Sequence, residues 1–298
     1  MRIIWYPTFY CNNYNGSCPY CHEYSQSRYR KYTDWYEKCE NKNNISNTFI
    51  FFRKNFSCDI NLTGGEPLLY PEKIIGALQK SPNSWSLNTN AQLTENVIKV
   101  FDNMNIDNCS GVCCSFHPLS NKHDNYIESV RYIFNKGIIP QINYVVSNQT
   151  INRIYDDLYK LRSSLDRNIP ITLIREISSL YSSPPNLIDD FDNTIVDFTR
   201  RVKEQIDNLR KKYRRHINIV QNTTQQVLTN RKCRYNREHM VLAPNGDLFP
   251  CSCFLYQNKN RICNINQLQP NILKDPEKIK TCSDQECVLF HDKNKHIG

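Results

Sequence analysis

The chain alternates between two hydrophobic rhythms. Short β-branched and aromatic runs at residues 2–10, 58–62, 85–89, 111–116, 140–146 and 171–177 read as strands. Stretches with apolar residues three and four apart, at 71–79, 94–104, 124–135 and 152–165, read as helices. Pro71 suits a first helical turn, Thr94 is expected to cap its helix, and Gly137 suits a helix end. Another helix is expected at 33–39, capped by Thr33, and the Asn-rich stretch 41–47 reads as loop. Six strands with helices between them specify an α/β fold with a parallel sheet and right-handed crossovers. In such folds the site lies at the carboxyl ends of the strands. Polar residues gather there: Asn88 and Asn90, Ser115 and His117, Asn143 and Ser147, Arg175 and Glu176.

The rhythm changes after residue 180. Ser182-Ser183-Pro184-Pro185 marks a boundary between a first domain, 1–180, and a second, 181–298. Residues 192–215 carry the stripe Ile195, Phe198, Val202, Ile206, Leu209 and Tyr213, as an amphipathic helix would. Pro244-Asn245-Gly246-Asp247 then joins apolar runs 240–243 and 248–251 as a hairpin turn. A small α+β cysteine-rich domain is expected here.

Composition narrows the class. With 298 residues and 39% apolar content, the chain can bury a sizeable core. No apolar run is long enough for a membrane span, and the N-terminus lacks the pattern of a signal peptide, so a cytoplasmic protein is expected. In a reducing compartment, 14 cysteines point to metal ligands rather than disulfides. The net charge of +9 is partly a basic run between Arg200 and Arg215. At helical spacing that run reads as a solvated face rather than a nucleic-acid site, with an anionic partner as the other reading.

Two motifs carry the chemistry. Cys11, Cys18 and Cys21 lie in CNNYNGSCPYC, directly after the first strand. Three thiolates can hold three irons of a four-iron cluster and leave the fourth open to a small molecule. Gly64-Gly65-Glu66-Pro67 ends the second strand. A zinc knuckle is the competing reading of the Cys18–Cys21 pair alone. Taken with the strand order, these residues resemble the radical S-adenosylmethionine (SAM) superfamily over roughly 1–177. The first cysteine gap departs from that family's usual three residues: here it is six, while the second gap and the aromatic Tyr20 are kept.

The resemblance implies a partial (β/α)6 TIM-like barrel, a SAM-binding 4Fe-4S cluster on the three cysteines, and SAM as cofactor. It implies that the Gly64-Gly65-Glu66 turn receives the amino group of SAM, the glycines by close backbone approach and Glu66 or nearby backbone carbonyls as acceptors. Tyr20 would pack on the adenine. Ser115 and Asn143 would take the ribose or carboxylate, with Asn90 also in the cofactor site. Arg175 would pair with the carboxylate or tune the cluster. His117 is a candidate substrate contact or proton donor. Reductive cleavage of SAM would yield a radical that abstracts hydrogen from an unactivated C–H bond.

The C-terminal cysteines resemble a twitch or SPASM auxiliary-cluster extension. Cys233, Cys251, Cys282 and Cys287 are the expected ligands of a second 4Fe-4S cluster, with Cys253 and Cys263 left over. A structural zinc, with His239 or His291 contributing, is the other reading. Cys39, Cys58, Cys109, Cys113 and Cys114 read as ordinary core or surface residues.

The expected function is a radical SAM enzyme, of oxidoreductase or lyase type, acting on a small polar molecule or a peptide. Its electron donor would be a flavodoxin or ferredoxin. The chain opens directly on the barrel, which favours a small substrate or a short free peptide over a leader-guided one. Two alternatives stand: a modified-nucleobase lyase or synthase of 7-deazapurine or queuine type, and a zinc protein that interacts with nucleic acid.

Overall fold

The computed structural model describes residues 1–13, 42–146, 150–175, 217–219, 239–258 and 260–272, and the isolated positions 204, 208 and 211. Strands and helices alternate as β1 (Arg2–Trp5), α1 (Lys42–Asn55), β2 (Asp59–Leu62), α2 (Pro71–Leu78), β3 (Ser84–Thr89) and α3 (Thr94–Asn103). Then come β4 (Cys109–Phe116), α4 (His123–Asn135), β5 (Gln141–Val146), α5 (Ile154–Ser164), β6 (Ile171–Arg175) and β7 (Ile217–Ile219). The chain ends, within the described residues, with β8 (His239–Leu242), β9 (Asp247–Phe249), α6 (Ser252–Gln257) and β10 (Cys263–Asn264).

One sheet of ten strands runs in the order β10-β9-β8-β1-β2-β3-β4-β5-β6-β7. From β8 through β7 every neighbouring pair is parallel, while β8–β9 and β9–β10 are antiparallel. Strands β1 to β7 are therefore laid down in sequence order. Right-handed crossovers in that order place every helix on the same face. The residues obey this arrangement. Ile3, Trp5, Ile60, Leu62, Trp85, Leu87, Val112, Cys114, Ile142 and Tyr144 are buried against Phe49, Ile74, Val97, Val130 and Leu158 of the helices. The intervening positions Asn61, Ser86, Asn88, Cys113, Ser115 and Asn143 stay half-buried on the face opposite the helices. This is the wall of a partial TIM-like barrel, with helices outside and a polar inner surface.

Several local expectations change. The stretch 41–47 is not loop: α1 begins at Lys42. Ile45, Thr48, Phe49 and Phe52 are all buried at helical spacing. Burial of that stripe, with the edge of Phe49 against Trp5 at 5.2 Å, overrides the weak helix propensity of the asparagines. Thr94 does not cap α3: Leu93 holds the cap position, and Thr94 Oγ1 instead donates to the Asn125 carbonyl at 3.1 Å, tying α3 to α4. The first strand stops at Trp5 rather than residue 10, with Pro7 just beyond it. The helices expected at 33–39 and 192–215 fall essentially outside the described residues.

The hairpin expected at 240–251 is present, and it continues the barrel sheet. β8 lies parallel to β1, with His239 opposite Arg2 and Leu242 opposite Trp5. Among the described residues, no helix is long and apolar enough to cross a membrane.

Candidate active site at the end of the first strand

The segment between β1 and Cys11 is held from three sides. Tyr6 N–H donates to the Leu242 carbonyl at 2.9 Å, and the Tyr6 hydroxyl meets Ser252 Oγ at 3.1 Å. Tyr6 and Phe9 pack with Val241, Ala243, Phe249 and Leu255 of the hairpin and α6. From below, Lys73 Nζ donates to the Pro7 carbonyl at 2.5 Å. On the other side stands the glycine turn. Gly65 N–H donates to the Thr8 carbonyl at 3.1 Å, and Glu66 N–H to the Tyr10 carbonyl at 2.7 Å.

Both glycines are required by this contact. Gly64 has φ +118°, and a Cβ there would stand 2.5 Å from the Thr8 carbonyl oxygen. A Cβ on Gly65 would stand 2.1 Å from the Tyr10 oxygen and 2.5 Å from the Phe9 oxygen. Both glycines lie in close contact with the backbone leading into Cys11. The turn is thus a brace for the root of the cysteine loop.

The Glu66 side chain points into the protein and is 1% exposed. One oxygen accepts from Leu68 N–H at 3.0 Å and Thr89 Oγ1 at 2.7 Å, and the other from Asn90 N–H at 2.7 Å. Burial pushes its pKa up to about 7, against the pull of those three neutral donors. The carboxylate is committed to joining the ends of β2 and β3. What the turn can offer a ligand is backbone.

Cys11 is half-buried beside this turn. Its sulfur accepts from Asn13 N–H at 3.4 Å and lies 3.7 Å from Asn90 Nδ2. Asn90 Nδ2 also donates to Asn12 Oδ1 at 2.6 Å. The sequence pattern singled out Asn90 but not Asn12 or Asn13; their place in the CNN triplet beside a ligand was the signal available. Cys18, Cys21 and Tyr20 lie outside the described residues.

The remaining site residues lie along the barrel's inner surface. Ser115 and Asn143 are register partners on β4 and β5. Asn143 Nδ2 donates to Cys113 Sγ, and its Oδ1 accepts from Gln141 Nε2 at 2.9 Å. Asn61 bridges Ser86 Oγ and Asn88 Nδ2 at 2.7 and 3.2 Å. Burial lifts the Cys113 thiol to about 12, so it stays protonated. Cys113 therefore lines the inner surface, while Cys58 and Cys114 are core residues, as expected.

His117 follows β4. Burial lowers its pKa to about 4, so the imidazole is neutral near pH 7 and has no extra proton to give. The strand end beneath it is anchored by Phe116, which stacks on Tyr144 at 5.7 Å and meets Tyr126 edge-on at 5.1 Å. Arg175 ends β6 with its backbone opposite Val146; its side chain is outside the described residues.

At the C-terminal end, Cys251 is buried just before α6 and Cys263 is buried opposite Leu248. Cys233, Cys282, Cys287 and His291 are outside the described residues. His239 is buried on β8. Among the described residues no three metal-ligating side chains cluster. Near Cys251 the hairpin is locked by Asp247, which is 1% exposed. It accepts from Arg261 at 3.1 Å and from Asn264 at 2.9 Å.

No protein-family model matches the sequence, and no curated protein matches it. Solved structures do share its fold. SuiB from Streptococcus suis bound to S-adenosylmethionine aligns with a TM-score of 0.57 at 17% identity, over 92% of this chain and 63% of SuiB. The protein anSMEcpe with bound AdoMet aligns with a TM-score of 0.60 at 16% identity, over 99% of this chain and 85% of its own. Its complex with AdoMet and the Cp18Cys peptide aligns with a TM-score of 0.59 at 16% identity, over 99% and 88%. This chain spans less than two thirds of SuiB. The partial barrel that the resemblance to the radical SAM superfamily implied is the fold this chain adopts.

Proposed function

We propose that this protein is a radical SAM enzyme, with a 4Fe-4S cluster on Cys11, Cys18 and Cys21. The observation that carries the reading is the pair of backbone bonds from Gly65 and Glu66 to the Thr8 and Tyr10 carbonyls. They fix the root of a three-cysteine loop at the carboxyl end of a parallel sheet, beside a turn built from two glycines. The residues around Cys11 suit a cluster: its sulfur faces amide donors, and the Nδ2 groups of Asn12 and Asn13 are buried without a partner. A thiolate-held cluster offers sulfur acceptors to such groups.

When bound, the cluster and SAM supply reductive cleavage of a sulfonium and hydrogen abstraction from a C–H bond. The chain's own residues bind and orient. The Gly64-Gly65-Glu66 turn sets its backbone against the methionine end, with Glu66 holding β2 to β3 beneath it. Ser115 and Asn143 offer neutral hydrogen-bonding groups on the inner wall. Neutral His117 contacts substrate as a hydrogen-bonding imidazole. The wall of Asn61, Ser86, Asn88 and Asn143 suits a polar, uncharged substrate. The peptide complex of anSMEcpe, which shares the fold, supports a peptide or a similarly amide-rich small molecule. The electron comes from a reduced flavodoxin- or ferredoxin-type protein. Cys233, Cys251, Cys282 and Cys287 hold a second, auxiliary cluster.

Anaerobic reconstitution tests this. A brown protein that forms 5′-deoxyadenosine from SAM under reduction, and loses that product in Cys11→Ala, is the expected result. A colourless protein with stoichiometric zinc and neither iron nor sulfide overturns it. Cys251→Ala should lose iron yet still cleave SAM; unchanged iron refutes the auxiliary site.

A further inference from the structure

Asn90 is fixed through its backbone N–H and its side-chain oxygen. Its backbone N–H is committed to Glu66, and its Oδ1 accepts from Gln92 N–H at 3.0 Å. The amide plane is thereby set, and Nδ2 is directed at Asn12 Oδ1 and Cys11 Sγ. With its own oxygen occupied, Asn12 presents Nδ2, which is buried and has no partner. Asn13, 7% exposed, bonds Cys11 sulfur through its backbone N–H and likewise leaves Nδ2 buried without a partner. A buried amide donor left unsatisfied costs about 1–3 kcal/mol. Two such donors on the residues directly after one cysteine imply an acceptor beside it.

We propose that Asn12, Asn13 and Asn90 form an amide collar that donates N–H···S hydrogen bonds to the cluster at its Cys11 corner and raises its reduction potential. The inference rests on the radical SAM reading above. Reduction adds negative charge to the cluster, and amide donors stabilise the more negative state. The collar therefore makes the one-electron reduction easier, and Glu66 is its positioning residue.

The test follows the EPR signal that changes when SAM is added, which marks the N-terminal cluster rather than the auxiliary one. It is measured on the reconstituted full chain at a series of poised potentials. Asn12→Ala and Asn13→Ala should each shift that reduction equilibrium toward the oxidised form about tenfold, with iron content preserved. An unshifted equilibrium in a fully iron-loaded variant overturns the proposal and assigns the donors to buried water. Should a variant fail to retain its cluster, the wild-type protein labelled with 15N in the asparagine side-chain amide decides the matter. Electron spin-echo modulation from 15N on the reduced cluster, without SAM, supports the collar; its absence overturns it. A wild-type protein that holds zinc and no iron overturns both this inference and the function it rests on. Normal iron and SAM cleavage with an unshifted potential overturns the collar alone.

Discussion

Two glycine turns stand at the two sides of β1, and they use the same parts for different ends. In Gly64-Gly65-Glu66 and in Asn245-Gly246-Asp247 a glycine takes positive φ, +118° and +86°, and an acid next to it is 1% exposed. Asp247 meets a cation, Arg261, and closes a hairpin onto itself. Glu66 meets only neutral donors and joins the end of β2 to the end of β3, beside the segment that leads into Cys11. The first arrangement stabilises a local turn. The second places a carboxyl group where burial works against its charge, in order to hold a site together.

The comparison breaks most sharply at the glycines. Gly65→Ala drives a Cβ into the carbonyls of Phe9 and Tyr10, backbone atoms that cannot move aside. It should lower stability by at least about 3 kcal/mol in denaturant unfolding and cut the iron retained after reconstitution. Gly246→Ala meets the side chain of Ile265 at 2.8 Å, which can yield. Its cost should be about 1–2 kcal/mol, from the positive φ, with iron at Cys11 unchanged. Equal losses of iron in the two variants would refute the division of labour.

The acids differ next. Asp247→Ala removes the partner of Arg261, which is itself partly exposed, and should cost about 2 kcal/mol of stability. Glu66→Gln keeps two acceptor bonds and turns an amide toward Asn90 N–H, for about 1–2 kcal/mol. The smallest effect is in pH. The Glu66 pKa is raised from 4.5 to about 7, so between those values the folded protein binds the extra proton. Its contribution to stability is largest below about 4.5 and declines as pH rises to about 7. His117, lowered from 6.5 to about 4, acts with the opposite sign: stability is lost as pH falls through that window. Melting temperatures across pH 4–7 should therefore show a more positive slope in Glu66→Gln than in the parent; parallel curves would disprove the buried titration.

Much of the fold was legible because burial repeats with the period of each element. Strands β2 and β3 alternate apolar and polar positions, and that alternation states which face meets the helices. Helix α1 was not legible, because Lys42 through Asn47 is rich in asparagine and only contact with Trp5 and its neighbours makes Phe49 and Phe52 a helical face. The site was legible in part. Cys11 and Asn90 meet beyond the ends of β1 and β3, and Ser115 and Asn143 are register partners on β4 and β5. Glu66 could be found but not interpreted, since the direction of a carboxylate depends on donors from β3. Asn12 and Asn13 carried no pattern of their own.

By itself the sequence determined the kinds of atoms available: three thiols and a glycine pair after adjacent apolar runs, and six strands alternating with helices, which specify a parallel sheet. These follow from periodicity and ligand chemistry, which are local. The tertiary structure decided what touches what. It set the glycines against the backbone of residues 8–10 rather than against open space, turned Glu66 inward, joined the late hairpin to β1, and left two asparagine amides buried beside Cys11. Those outcomes depend on hydrogen bonds and clashes between segments distant in the chain, which no local pattern encodes.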